Sequence, residues 1–141
     1  MEGSNRDIVD TLAGMTLFGD LSKPQLEAVA HTFDEQWFSE GQRILRQGFS
    51  GTGFYVIVEG SAAVRIDGVV RATLGKGDFF GEISILLDEP PVADVVAVGP
   101  LHCVILDGPE VEPFLNRYPK VMYRMLESMA RRLRNASQWR S

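Results

Sequence analysis

Residues 80–97 read FGEISILLDEPPVADVVA, and the run opens as though to wrap a small anion. Phe80-Gly81-Glu82 leads into what reads as a short helical turn, and the first N–H groups of such a turn lack partners and attract negative charge. Where a cation should close the site, the chain supplies Pro90-Pro91, and Asp88, Glu89 and Asp94 surround that point. Proline offers neither a side-chain donor nor a backbone N–H, so it cannot hold an anion. Two readings stand: a ligand site with an unusual clamp, or a scaffold that kept its shape and lost its chemistry.

Other chemistries find less support. His31 and His102 are the two histidines and form no His-x-His cluster, so no metal site is expected. His102 and Cys103 are neighbours on an expected strand, where they face opposite ways and cannot work as a dyad. Cys103 reads as a core residue. There is no Ser/His/Asp elbow and no phosphate-cradling Walker loop, so the reading is of a non-enzyme without a cofactor.

The elements that must position Gly81 and Glu82 follow from the pattern on either side. Ser22-Lys23-Pro24-Gln25 starts a helix, with Ser22 as cap and Gln25 completing a capping box. Leu26, Val29, Ala30 and Phe33 then recur at helical spacing over about three turns. From Gln36 the chain becomes short runs of β-branched and aromatic residues punctuated by glycine: GQRILRQG, GFYVIVEG, SAAVRIDG and VVRATLGKGD. VADVVAV and LHCVILD supply two more strands, and runs this short point to a small antiparallel barrel or jelly roll. After Pro109 the helical period returns, with Tyr118-Pro119 marking a start and Val121, Met122, Met125, Leu126, Met129 and Leu133 in one apolar stripe. The expectation is an α+β chain forming one domain over residues 1–141, with helices over about 7–35, a β-roll over about 36–108 and C-terminal helices over about 109–136.

Composition narrows the setting. The 141 residues are 45% hydrophobic and 23% charged, the proportions of a soluble globular domain. There is no apolar run long enough to span a bilayer, no apolar signal region at the N-terminus, and a single cysteine; a cytoplasmic location without membrane contact is expected. The net charge of −5 argues against nucleic acid as a partner of these residues. Between Lys76 and Arg117 there is no lysine or arginine, so Glu82 lies in the most acidic part of the sequence.

The α–β-barrel–α layout, the glycines Gly41, Gly48 and Gly60, and the segments FYVIVEG and GDFFGEISIL resemble the cyclic nucleotide-binding domain family, over about Leu12 to Leu133. That family includes the regulatory subunits of the cyclic-AMP-dependent kinase and the catabolite activators. The resemblance implies a phosphate-binding cassette at Phe80, Gly81, Glu82, Ile83, Ser84, Pro91, Val92 and Ala93. On this reading Gly81 lets backbone approach ligand, Glu82 accepts from a ribose 2′-hydroxyl, and the amides near Ile83 and Ser84 face the phosphate. The family's cassette continues as P-R-x-A, and its arginine neutralises the cyclic phosphate. Aligned without gaps, that arginine falls on Pro91, with Val92 next and Ala93 on the family's alanine. Cyclic AMP or cyclic GMP is the implied ligand, held weakly or not at all.

Each residue also has a plainer reading. Glu82 can cap its own turn, and Pro90-Pro91 can be a rigid lead-in to the next strand. Arg65, Arg71 and Lys76, on the preceding strands and turns, can supply a substitute cation if closure of the barrel brings one near, or form a solvated strand face. Met122, Leu126, Met129 and Leu133 keep nearly a coiled-coil period, which suits packing on the barrel or, as in the family's transcription factors, a homodimer seam. Trp139 reads as a terminal residue or as an aromatic lid over a base. Three functions remain open: a ligand-sensing regulatory module with an attached or separate effector; a degenerate interaction or dimerisation domain; and the sensor part of a larger transcription regulator, channel, transporter or enzyme. As the sequence stops at Ser141 with no helix-turn-helix, DNA binding by these residues is not expected.

Overall fold

The computed structural model describes residues 2–49 and 53–138. In chain order it forms α1 (Glu2–Ala13), a 3-10 turn (Thr16–Phe18), α2 (Lys23–Thr32), β1 (Asp34–Phe38), β2 (Arg43–Leu45) and β3 (Gly53–Glu59). There follow β4 (Ala62–Ile66), β5 (Val69–Leu74), β6 (Phe79–Phe80), α3 (Glu82–Leu87), β7 (Asp94–Ala97), β8 (Leu101–Asp107), α4 (Gly108–Arg117) and α5 (Pro119–Gln138). The class is α+β. Two four-stranded antiparallel sheets, ordered β1-β8-β3-β6 and β2-β7-β4-β5, make a β-roll with helices at both ends of the chain.

The capping box is present: Gln25 N–H donates to Ser22 Oγ at 3.3 Å, and Ser22 N–H donates to Gln25 Oε1 at 2.9 Å. Leu26 and Val29 are buried, and Phe33 caps the end of α2 instead of continuing it. Residues 34–38 form β1, where the sequence reading carries helix to about 35. No apolar alternation marks this strand, because its face is largely solvated; pairing with β8 decides it, from Asp34↔Ile105 to Phe38↔Leu101.

The central strands are buried on both faces, which is why FYVIV and CVIL read as unbroken apolar runs. Phe54, Val56 and Val58 of β3, with Val104 and Leu106 of β8, meet α1, α2, α4 and α5 in one core. Ile57, Leu101 and Cys103 point the other way, into the barrel, against Leu45, Ala62, Leu74, Phe80, Val95 and Ala97. At Gly60 the backbone has φ +96°, and a Cβ there would collide with the Pro100 carbonyl, so the β3–β4 turn requires glycine.

The apolar residues of α5 divide between two faces. Val121 and Met125 are buried in the helical core and Met129 packs partly against it. Met122, Leu126 and Leu133 face away from it and are exposed. The single stripe expected from the sequence is thus two, since positions i and i+1 lie about 100° apart on a helix. Arg124 anchors α5 to the turn before α2 by a forked contact to Asp20, at 2.7 and 3.0 Å. No helix among the described residues is long and apolar enough to cross a membrane.

Candidate functional site

The site grows out of β6. Phe79 and Phe80 pair with Val56 and Tyr55 of β3, and the Phe80 ring stacks on Tyr55 at 4.7 Å and 4°. The chain then swings into α3 at Gly81, with φ +92°. A Cβ here would strike the Gly53 carbonyl, so glycine is needed first by the protein's own packing, before any ligand approaches. In α3, Glu82 and Ser84 are buried, and Ser84 Oγ donates to the Gly81 carbonyl at 3.3 Å. After Asp88, which ends α3 in a left-handed conformation, the chain passes Pro90-Pro91 into β7. The Pro91 carbonyl accepts from Gly48 N–H at 2.9 Å, and Gln47 N–H donates to Asp94 Oδ1 at 2.7 Å. The segment is thereby pinned to the turn after β2.

Phe80, Gly81, Glu82, Ile83, Ser84, Pro91, Val92 and Ala93 all border one cavity of about 290 Å³. The barrel completes it with Leu45, Val64, Ile66, Ala72, Leu74 and Val95. None of Arg65, Arg71 and Lys76 borders it, and neither do Met122, Leu126, Met129 or Leu133. Trp139 lies outside the described residues.

The cavity does have a cation, and it comes from the far end of the chain. Arg132 of α5 donates from Nη1 to Glu82 Oε1 at 3.1 Å and from Nη2 to the Phe79 carbonyl at 2.8 Å. Its guanidinium also lies 4.4 Å from the centre of the Phe79 ring. The expectation of a site without a cation is therefore corrected. Sequence position misleads because fifty residues separate the partners. A usable signal was there: Arg132 follows Met125 and Met129 at i+7 and i+3, which puts it on the face of α5 that packs inward.

The electrostatics are self-contained. The Glu82 side chain is only 6% exposed, and burial pushes its carboxyl above the ordinary range; its own backbone amide and Arg132 oppose that rise. Among the described residues Glu82 and Arg132 are the charged side chains bordering the cavity, and they are paired. Elsewhere, burial holds the Cys103 thiol up at about 12, far from a nucleophile's range. His102 Nε2 hydrogen-bonds Glu35 at 3.0 Å and its ring stacks on Trp37, away from Cys103 in the barrel. No group of three His, Cys, Asp or Glu able to hold a metal ion occurs among the described residues.

The family model described as the cyclic nucleotide-binding domain matches residues 35–118, from β1 through the cassette to α4. The chain belongs to the cyclic nucleotide-binding domain family. It is a regulatory domain of the cyclic nucleotide-binding type, with the β-roll and long C-terminal helix of that fold. A structure of cAMP-bound PfPKA-R is similar over 96% of this chain and 48% of its own, with TM-score 0.79 and 24% identity. The Thermus thermophilus catabolite activator protein is similar over 87% of this chain and 60% of its own, with TM-score 0.77 and 28% identity. The regulatory domain of Toxoplasma gondii PKA with cAMP is similar over 93% and 51%, with TM-score 0.76 and 24% identity. This cyclic nucleotide-binding domain spans between about half and three-fifths of the length of those structures.

Proposed function

We propose that the domain is a ligand-sensing regulatory module whose cavity binds cyclic AMP and cyclic GMP weakly or not at all, and whose α5 reports occupancy to an attached or separate effector. The observation that carries this reading is the position of Pro91. It borders the cavity where the family resemblance places the phosphate-holding arginine, while Arg132, the one cation at the cavity among the described residues, is already engaged by Glu82 and the Phe79 carbonyl. Loss of one partner from a desolvated charge pair costs about 2–5 kcal/mol, roughly 30- to several-thousand-fold in affinity. A site that would otherwise bind in the low micromolar range falls toward millimolar. Calorimetric titration with each cyclic nucleotide checks this, and a dissociation constant below about 10 μM overturns it.

A second reading, dimerisation, is favoured by the outer face of α5. Met122, Leu126 and Leu133 are exposed at spacings of four and seven, and the half-buried Met129 between them completes a heptad seam. A second copy of the helix would cover these side chains. Sedimentation is expected to give a dimer for the unsubstituted protein and a monomer for Leu126→Glu. Monomers in both samples would remove the dimer from consideration.

A further inference from the structure

We infer that the cavity's own ligand is a neutral, predominantly apolar small molecule carrying a single hydrogen-bonding group. This rests on the reading of the cavity as a sensing site and names the class of molecule sensed. The cavity wall is built from aliphatic side chains, with Leu45, Val64, Leu74 and Val95 on the barrel side. Its rim is apolar too, since Ile83 and Val92 are 40% and 48% exposed. The polar side chains among the described residues that border it are Glu82, Ser84 and Arg132, and each already has a partner. Among the described residues no buried side-chain nitrogen or oxygen is left without one.

An anion gains little here. To reach Arg132 it must displace Glu82, and it then leaves a nearly buried carboxylate unpaired beside its own charge. A neutral hydrocarbon body meets no such penalty and removes aliphatic surface from water. One hydroxyl or amine can donate to a remaining lone pair of the Glu82 carboxylate without disturbing Arg132. A dry apolar cavity of about 150 Å³ holds a single benzene-sized ring, so a volume of about 290 Å³ has room for a molecule of more than one ring.

Two probes sharing one scaffold test the inference. N-phenylnaphthylamine is neutral, and anilinonaphthalene sulfonate carries an added sulfonate; both brighten in apolar surroundings. The neutral probe is expected to saturate the full chain at about 10 μM or below, with the sulfonate at least about tenfold weaker and cyclic AMP at about 1 mM unable to displace the probe. Ala72→Trp, at an exposed position on β5 that borders the cavity, should abolish neutral-probe binding without loss of the melting transition. Val92→Glu at the rim is a second variant, expected to weaken the neutral probe at least about tenfold. No saturable binding, equal affinity for the two probes, or binding unchanged in both variants would overturn the inference. Tight cyclic AMP binding would instead overturn the reading in the previous section, so the two failures are distinguishable.

Discussion

With Pro91 replaced by arginine, cyclic AMP is expected to bind about 30-fold or more tighter than to the unsubstituted protein. Pro91 is buried at the cavity wall, and its backbone accepts from Gly48 N–H through a carbonyl that any residue supplies. This position borders the same cavity as Glu82, Ile83 and Ser84 of α3. The introduced guanidinium can therefore meet an anion there without taking Arg132 from Glu82. Before ligand is added, the same substitution should lower stability by about 1–3 kcal/mol, because it places an unpaired charge against aliphatic walls. Cyclic AMP at a hundred times its dissociation constant restores about 2.7 kcal/mol. Calorimetry and melting curves with and without the nucleotide read both effects. No gain in affinity would mean that Gly81 and Glu82 are not placed to receive a cyclic phosphate.

Removing Arg132 is expected to cost about 2 kcal/mol of stability at pH 8 and much less at pH 4. Half of a buried ion pair is worth about 3–5 kcal/mol when lost, and the value is reduced here because Arg132 is 38% exposed. The pH dependence follows from Glu82. Burial already raises its carboxyl above the ordinary 4.5, and Arg132 is a charge that opposes the rise. In Arg132→Ala the folded protein therefore holds the Glu82 proton still more strongly than the unfolded chain does. Stability then falls as pH rises from the ordinary carboxylate range through the raised folded value, and below that range both states are protonated and the penalty vanishes. Adding Glu82→Gln should recover most of the loss at pH 8. Asp20 behaves with the opposite sign, because its hydrogen bonds to Arg124 hold its carboxyl low and the stability it lends is lost as pH falls. That contribution is common to wild type and variants, so urea unfolding compared at the two pH values isolates Glu82.

The fold was legible because its strongest determinants are local. Ser22 and Gln25 cap one helix, glycines mark the turns, and FYVIV and LHCVIL announce strands buried on both faces. That Phe80 to Ser84 and Pro91 to Ala93 lie together was legible for the same reason: they are close in sequence and stay close around the cavity. What escaped depends on long-range pairing. β1 carries almost no periodic signal and exists because β8 lies beside it. Arg132 sits in a cluster of three arginines near the C-terminal end of the sequence, and only docking of α5 turns one of them toward Glu82. The apolar character of the cavity escaped as well. Leu45, Val64, Leu74 and Val95 come from four strands that only closure of the barrel brings together.

The fork between Arg124 and Asp20 would give α5, if it moves, a fixed point about which to turn. Arg132 stands about 12 Å farther along the axis, and Gln138, the last helical residue described, about 21 Å. Were Arg132 displaced outward by about 3 Å, a rigid rod pivoted at Arg124 would tilt by about 14° and its end would travel about 5 Å. The displacement is magnified by the ratio of the two arms, and the ratio is set by where along the helix each arginine sits. Inserting one turn of helix between Arg132 and the end would lengthen the stroke without altering the cavity. Loosening the Asp20 contact would shorten it, because a bar without a pivot transmits a push as slippage.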